Sequence, residues 1–175
     1  MSESRGLRGS VLEEMINMSN NVYREKGLAL IQKVPTPITP INIEKETHHI
    51  TLAYFDRKST VDYIGVVQGI PVCFDAKECH SNNFALQNIH EHQYEFMKDF
   101  ENQGGIAFII LYYTARDEKY YLPFKDIVRF MERAADGGLK HFKFEELNHS
   151  YIICQKGGVP VHYLEQLQMD LDDRG

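Results

Sequence analysis

The stretch Ser59-Thr-Val-Asp62-Tyr-Ile-Gly65-Val-Val-Gln68-Gly69-Ile-Pro-Val-Cys-Phe-Asp75-Ala-Lys77-Glu78 reads as two strands joined by a Gln68-Gly69 turn. Alternate residues of a strand share a face, so Asp75 and Lys77 point the same way. If the strands pair around the turn, Asp62 comes round to the same end of the hairpin. Two converging carboxylates bind a hard divalent ion such as Mg²⁺. A lysine beside them orients an attacking water or offsets charge on a phosphate, and the set is what metal-dependent phosphodiester hydrolysis needs. Taken singly, each residue has a plainer reading. Asp62 suits a turn, and Lys77 suits a structural salt bridge to Asp75. Asp75 follows the apolar Val72-Cys-Phe74, where a charge is costly unless paired or metal-bound. Glu78 faces away from Lys77 on an ideal strand and stays outside the set.

Outward from the hairpin, the chain alternates helices and strands. Residues 9–26 carry Val11, Leu12, Met15, Ile16, Val22 and Tyr23 at helical spacing, with Gly27 as the stop. Leu28 to Lys33 reads as a short strand. Three prolines, Pro35, Pro37 and Pro40, then exclude helix. Ile41 to Phe55 alternates loosely and reads as a long exposed hairpin, so 35–55 is expected to form a projecting stalk with Glu44 to His49 near its tip. His80 to Leu86 reads as a loop and Gln87 to Glu101 as a helix. Ile106 to Tyr113 is a buried strand, Lys119 to Leu122 its partner, and Pro123 opens a helix running to about Ala135. A short strand at Tyr151 to Cys154, a short helix at Val161 to Met169 and an acidic tail at 170–175 complete the pattern. This order predicts one α/β domain, 1–175, on a mixed central sheet flanked by helices.

The 175 residues are enough to bury a core in a single domain. No apolar run approaches the roughly 18 residues of a membrane helix, and Met1 to Arg5 lacks a signal peptide's apolar segment. Cys73, Cys79 and Cys154 lack metal-ligand spacing and fit reduced thiols in a cytoplasmic protein. The net charge of −6 is unusual for a nucleic-acid enzyme. Its sign varies, however: Arg5 to Arg8, Arg57-Lys58 and Lys140 to Lys143 are basic, which leaves room for a basic face. His90 and His92, two apart on a helix, face different directions and suit a phosphate contact or packing better than one shared ion. Tyr112-Tyr113 and Tyr120-Tyr121 read as sheet core rather than base-stacking platforms.

Several ordered blocks carry a resemblance over roughly residues 8–125. They are Arg8-Gly-Ser-Val-Leu-Glu13-Glu14, Lys33-Val-Pro-Thr-Pro37, Ala53-Tyr-Phe55, Ser59-Thr-Val-Asp62-Tyr-x-Gly65, Phe74-Asp-Ala-Lys-Glu78 and Leu86-Gln-Asn-Ile-His-Glu-His-Gln93. With them the chain resembles the RecU-type Holliday-junction resolvases of Gram-positive bacteria and their phages. These belong to the restriction-endonuclease-like nuclease superfamily. The resemblance implies a homodimer whose two sites nick opposed strands of a four-way junction, matching two-fold protein symmetry to the near two-fold symmetry of the substrate. It makes Asp62 the first metal-binding aspartate, Asp75 the second acid and Lys77 the active-site lysine. The backbone carbonyl of Ala76 is a further metal ligand. Glu13 is the acid that approaches the metal from the helix side, and Gln87 begins the helix behind the site. The cofactor implied is Mg²⁺, with Mn²⁺ as a substitute, and recombination proteins are implied partners. The stalk enters the junction's central opening. Arg8, Lys33, Lys45, Arg57 and Lys58 are candidate phosphate contacts.

Two departures accompany it. Asp75 stands where the family usually has Glu, which draws the carboxylate in by one methylene. The basic N-terminal extension common in the family is nearly absent, so lower DNA affinity is expected, and the shortness suits a phage-borne member. Two other functions stay open at this level. One is a restriction-like or repair nuclease acting on ordinary duplex or flaps. The other is a protein that binds branched DNA without cutting it.

Overall fold

A computed structural model describes residues 10–55 and 60–175 of the chain. Among these described residues four helices, α1 (Val11–Glu25), α2 (Glu91–Asn102), α3 (Phe124–Ala135) and α4 (Leu164–Asp172), accompany ten strands. The strands are β1 (Ala29–Lys33), β2 (Ile38–Ile43), β3 (Ile50–Phe55), β4 (Tyr63–Val67), β5 (Ile70–Cys79), β6 (Asn83–Ala85), β7 (Ile106–Tyr113), β8 (Glu118–Pro123), β9 (His141–Lys143) and β10 (Ile152–Ile153). Six of them form the central sheet in the order β1-β4-β5-β7-β8-β10. Only β5 and β7 run parallel and all other neighbours are antiparallel, so the sheet is mixed, as the sequence pattern implies. The parallel step needs a long crossover, and α2 provides it. No helix among the described residues is long and apolar enough to cross a membrane.

The β4–β5 hairpin sets the register that matters. Gln68 and Gly69 both have positive φ, 50° and 89°, the type I′ geometry whose twist matches the flanking strands. The pairing Val67↔Ile70 through Tyr63↔Phe74 then follows without a bulge. On one sheet face this register stacks aromatic rings across four strands. Tyr63 lies on Phe74 and Phe74 on Phe108, each with centroids 4.7 Å apart, and Phe108 lies 4.3 Å from Tyr121. Tyr163, just before α4, closes over Phe74 at 5.2 Å. Each such pair adds about 0.5–1.5 kcal/mol beyond the area it buries.

Gly65 admits the neighbouring strand. A Cβ there would lie 2.1 Å from the Leu30 carbonyl oxygen and 2.7 Å from Ile31 Cα. Helix α1 covers this side, capped by Ser10, whose Oγ accepts the Glu13 N–H at 3.2 Å. Gly27, at φ +66, ends that helix. The opposite side of β1 and β4 leaves Leu30 and Val66, paired across the strands, largely exposed.

Three features depart from the expected pattern. Residues 83–85 are not loop but strand β6, which pairs with β9; three-residue strands are too short to show alternation. Helix α2 starts at Glu91 rather than Gln87, because Leu86–Asn88 forms a single 3₁₀ turn and His90 takes the extended backbone of an N-cap. The acidic stretch from 170 begins inside α4. Asp170 is fully buried, accepting from Tyr121 Oη at 2.8 Å and from Arg174 Nε at 3.1 Å. Arg174 reaches on to Glu101 at 2.6 Å, which fastens α4 to the end of α2.

Strands β2 and β3 form a separate two-stranded sheet spanning 38–55, with irregular register on both sides of Asn42. Ile38, Ile41, Ile43, Ile50, Leu52 and Tyr54 are all exposed there.

Replacing Gly65 with alanine is expected to force β1 off β4. The cost should be about 2–3 kcal/mol, by the scale of overpacking strain, which is a fall of roughly 5–10 °C in melting temperature for a chain of this size. Thermal denaturation followed by circular dichroism measures it, and an unchanged melt would contradict the close approach.

Candidate active site

Tyr63 opposite Phe74 puts Asp62, the residue before β4, across from Asp75 in β5. The two aspartates lock the strand ends together. Asp75 Oδ1 accepts the Asp62 N–H at 3.0 Å, and Asp62 Oδ2 accepts the Ala76 N–H at 2.9 Å. The Asp62 carbonyl accepts the Val34 N–H at 2.8 Å, tying in the segment that leads to the stalk. Two residues along β5, Lys77 returns to the face of Asp75 and places Nζ 2.7 Å from Asp75 Oδ2.

The electrostatics are those of a site short of positive charge. Asp75 is fully buried. Its Oδ2 has no aligned hydrogen bond, and the lysine contact is an ion pair without that geometry. Burial pushes the Asp62 carboxyl up to about 7. The charge of Asp75 and a hydrogen bond shared with it push the same way, offset in part by the Ala76 N–H and by Lys77. A divalent cation fits this set, because it would bind the unmatched lone pairs of Asp75 Oδ2 and relieve the repulsion between the two aspartates.

The other expected site residues stand in different places. Glu13 lies on the first turn of α1 and makes an ion pair with Lys33 at the end of β1. Its backbone carbonyl accepts from Tyr63 Oη at 3.4 Å. Among the described residues no group of three or more His, Cys, Asp or Glu side chains is close enough to hold a metal, so Glu13 does not join Asp62 and Asp75 in this conformation. Glu78 turns to the α1 side and accepts the Leu12 N–H at 3.3 Å. Gln87 is exposed, on the rim of an apolar groove of about 770 Å³ between α2 and α3.

The side chain on Lys77 is instead Gln93, which the sequence reading did not single out. Gln93 is buried, and its Oε1 accepts from Lys77 Nζ at 3.0 Å and from the His90 N–H at 3.2 Å. Both partners can only donate, so the amide orientation is settled by chemistry. Gln93 is the third residue of α2, a capping-box position, and the spacing His90-x-x-Gln93 was the available signal. His90 and His92 stack with centroids 5.6 Å apart, because His90 is the cap and not yet on the helical turn. Lys45 is exposed near the stalk tip. Arg8, Arg57 and Lys58 lie outside the described residues.

These features define an α/β protein with a carboxylate–lysine cluster at the ends of paired strands. The profile of the RecU family, recombination protein U, matches residues 7–169. The Holliday junction resolvase RecU of Bacillus pumilus is 42% identical over 166 residues, covering 92% of this chain and 80% of that protein. The same-named protein of Oceanobacillus iheyensis is 37% identical, with 91% and 81% covered. That of Oenococcus oeni is 36% identical, with 93% and 85% covered. The solved structure of Archaeoglobus fulgidus Hjc, a Holliday junction resolvase, matches at a TM-score of 0.35 and 10% identity over 64% of this chain and 74% of that one, too slight a likeness to carry an argument. The chain belongs to the RecU family.

The raised Asp62 carboxyl has a consequence for stability. The folded protein holds a proton that the unfolded chain releases near pH 3.8. Metal-free stability from this group is therefore complete below that pH and is lost as pH rises through about 7. In EDTA at pH 8, Asp62→Asn should melt a few degrees above wild type, and the gap should close as pH falls towards 4. Melting curves of the two proteins across that range test it, and a gap that does not change with pH would contradict the electrostatic account.

Proposed function

We propose that the protein is a Mg²⁺-dependent, structure-selective endonuclease of restriction-endonuclease-like fold that resolves Holliday junctions by paired nicks. It acts as a homodimer in the cytoplasm during recombination and repair, alongside recombination proteins, with 1–175 as one nuclease domain and 35–55 as its stalk. The observation that carries the reading is the convergence of Asp62, Asp75 and Lys77 at the end of the β4–β5 hairpin in a chain of the RecU family.

Asp62, Asp75 and the Ala76 carbonyl would hold the ion, with Glu13 as a further ligand. Bound there, the ion would supply Lewis acidity at the scissile phosphate and would lower the pKa of a bound water. Lys77, steadied by Asp75 and Gln93, presents its ammonium where the attacking water and the developing negative charge meet. Mn²⁺ should replace Mg²⁺, since aspartate oxygens suit both. Asp75, one methylene shorter than glutamate, still presents a carboxylate. Lys33, Lys45, Arg8, Arg57 and Lys58 would take phosphate contacts along the branch.

The exposed apolar side chains support a second copy and a branched substrate as their cover. A lone two-stranded hairpin is marginal in water, and the stalk exposes six large apolar residues. Leu30 and Val66 on the β1–β4 face add a further unmatched patch.

Purified protein with a labelled four-way junction and a matching linear duplex, with Mg²⁺ or EDTA, tests the activity. Symmetrical nicking of the junction alone is expected. Asp62→Asn and Asp75→Asn should each lower it about 100-fold or more, the scale of losing one preorganised charge-stabilising group, while circular dichroism stays unchanged. Equal cutting of the duplex would favour a general repair nuclease. Tight junction binding without cutting would favour a branched-DNA binder.

Deleting residues 41–52 should abolish junction preference while leaving the central-sheet melt in place. Junction selectivity that survives the deletion would remove the stalk from recognition.

A further inference from the structure

We infer that Lys33 is a positioning residue for the metal site, holding Glu13 away from the ion until a DNA phosphate takes the ammonium. This rests on the metal reading of Asp62 and Asp75 above. The placement is specific. Lys33 ends β1, pairs with Tyr63 in the strand register, and precedes Val34, whose N–H donates to the Asp62 carbonyl at 2.8 Å. Glu13 meets the same Tyr63 at its hydroxyl, the Glu13 backbone carbonyl accepting from Tyr63 Oη at 3.4 Å. The two side chains thus meet beside the strand end that carries Asp62, and they form an ion pair there.

The pair is built to exchange partners. Lys33 is 43% and Glu13 23% exposed at the side chain, so neither is sealed in. Partly exposed ion pairs are weak, whereas a phosphodiester offers the same ammonium a charged acceptor. By contrast, the buried Asp75–Lys77 contact has no such freedom. Glu13 carries one charge and cannot neutralise both Lys33 and a divalent ion. With Lys33 engaged on the DNA backbone, Glu13 is released towards the ion that Asp62 and Asp75 hold. The third acid thereby joins the metal site only when substrate is present. The stalk begins at Pro35, two residues beyond Lys33, so the phosphate that draws Lys33 away would lie at the stalk's base.

Two double-mutant cycles on the full chain test this. In the first, Mn²⁺ binding without DNA is titrated by electron paramagnetic resonance for wild type, Lys33→Gln, Glu13→Gln and the double variant. Lys33→Gln should bind about three- to fivefold more tightly than wild type, the scale of one such ion pair. The gain should vanish when Glu13 is Gln. No gain, or the same gain in the Glu13→Gln background, would overturn the exchange, the latter because it would report only a lost positive charge. In the second, junction binding is measured by fluorescence anisotropy in EDTA. Glu13→Gln should bind more tightly by a similar factor, and only when Lys33 is present. Loss of Mn²⁺ binding in Asp62→Asn keeps the metal reading standing whatever Lys33 does. Binding that ignores Asp62 and Asp75 would sink that reading, and this inference with it.

Discussion

The reciprocal clamp between Asp62 and Asp75 is the contact on which the site depends, and it exists only in one register of β4 against β5. Each carboxylate accepts a backbone N–H from the other strand, so the side chains act as extra rungs beyond the last ladder pair. Slipping β4 by one residue would turn each of its side chains to the opposite face of the sheet. Asp62 would then meet the rings of Phe74, Phe108 and Tyr121, and Tyr63 would lie on the face that holds Asp75 and Lys77. The stack on one face and the acids on the other therefore specify the same register. Gly65 extends it to β1 by letting the neighbouring backbone approach where any side chain would block it.

A buried carboxylate beside a second one opposes folding, as the raised Asp62 carboxyl shows. The compensations are local: two backbone N–H groups, one ammonium, and a glutamine from the capping box of α2. Gln93 links the start of α2 to Lys77 through one oxygen. The helix end and the lysine are therefore positioned together. The stalk is the reverse case, with apolar side chains left in water and strands that pair, among the described residues, with each other alone. Both regions run against ordinary folding economy, and the Val34 N–H to Asp62 carbonyl bond ties the segment leading into the stalk to the site.

The net charge of −6 gave little guide to the surface. Asp170 is engaged inside the fold by Tyr121 and Arg174, and Glu101 completes that link through Arg174 and the Ala107 N–H. Asp173 receives Lys125 and Tyr151. These acids fasten α4 to the body and are not a free acidic tail.

How much was readable from the sequence follows from the range of each interaction. The Gln68-Gly69 turn, the alternation that puts Asp75 and Lys77 on one face, the periodicity of α1 and the Pro123 start of α3 are local properties. Sequence alone determined them, along with the resemblance carried by ordered blocks. The short strands β6 and β9 lacked the length to show a period, and they form because Leu86 and Phe144 find partners far along the chain. Gln87 and Gln93 are the sharpest contrast. Both are glutamines near one helix start, six positions apart in the chain. Only the three-dimensional path, with a 3₁₀ turn before the cap at His90, decides that Gln93 reaches Lys77 while Gln87 faces a groove. The pairing of Glu13 with Lys33 was equally out of reach, because it joins a helix to a strand edge whose positions are set by packing. Chemistry within a strand or turn is written in neighbouring residues, whereas contacts between elements depend on how the whole core closes.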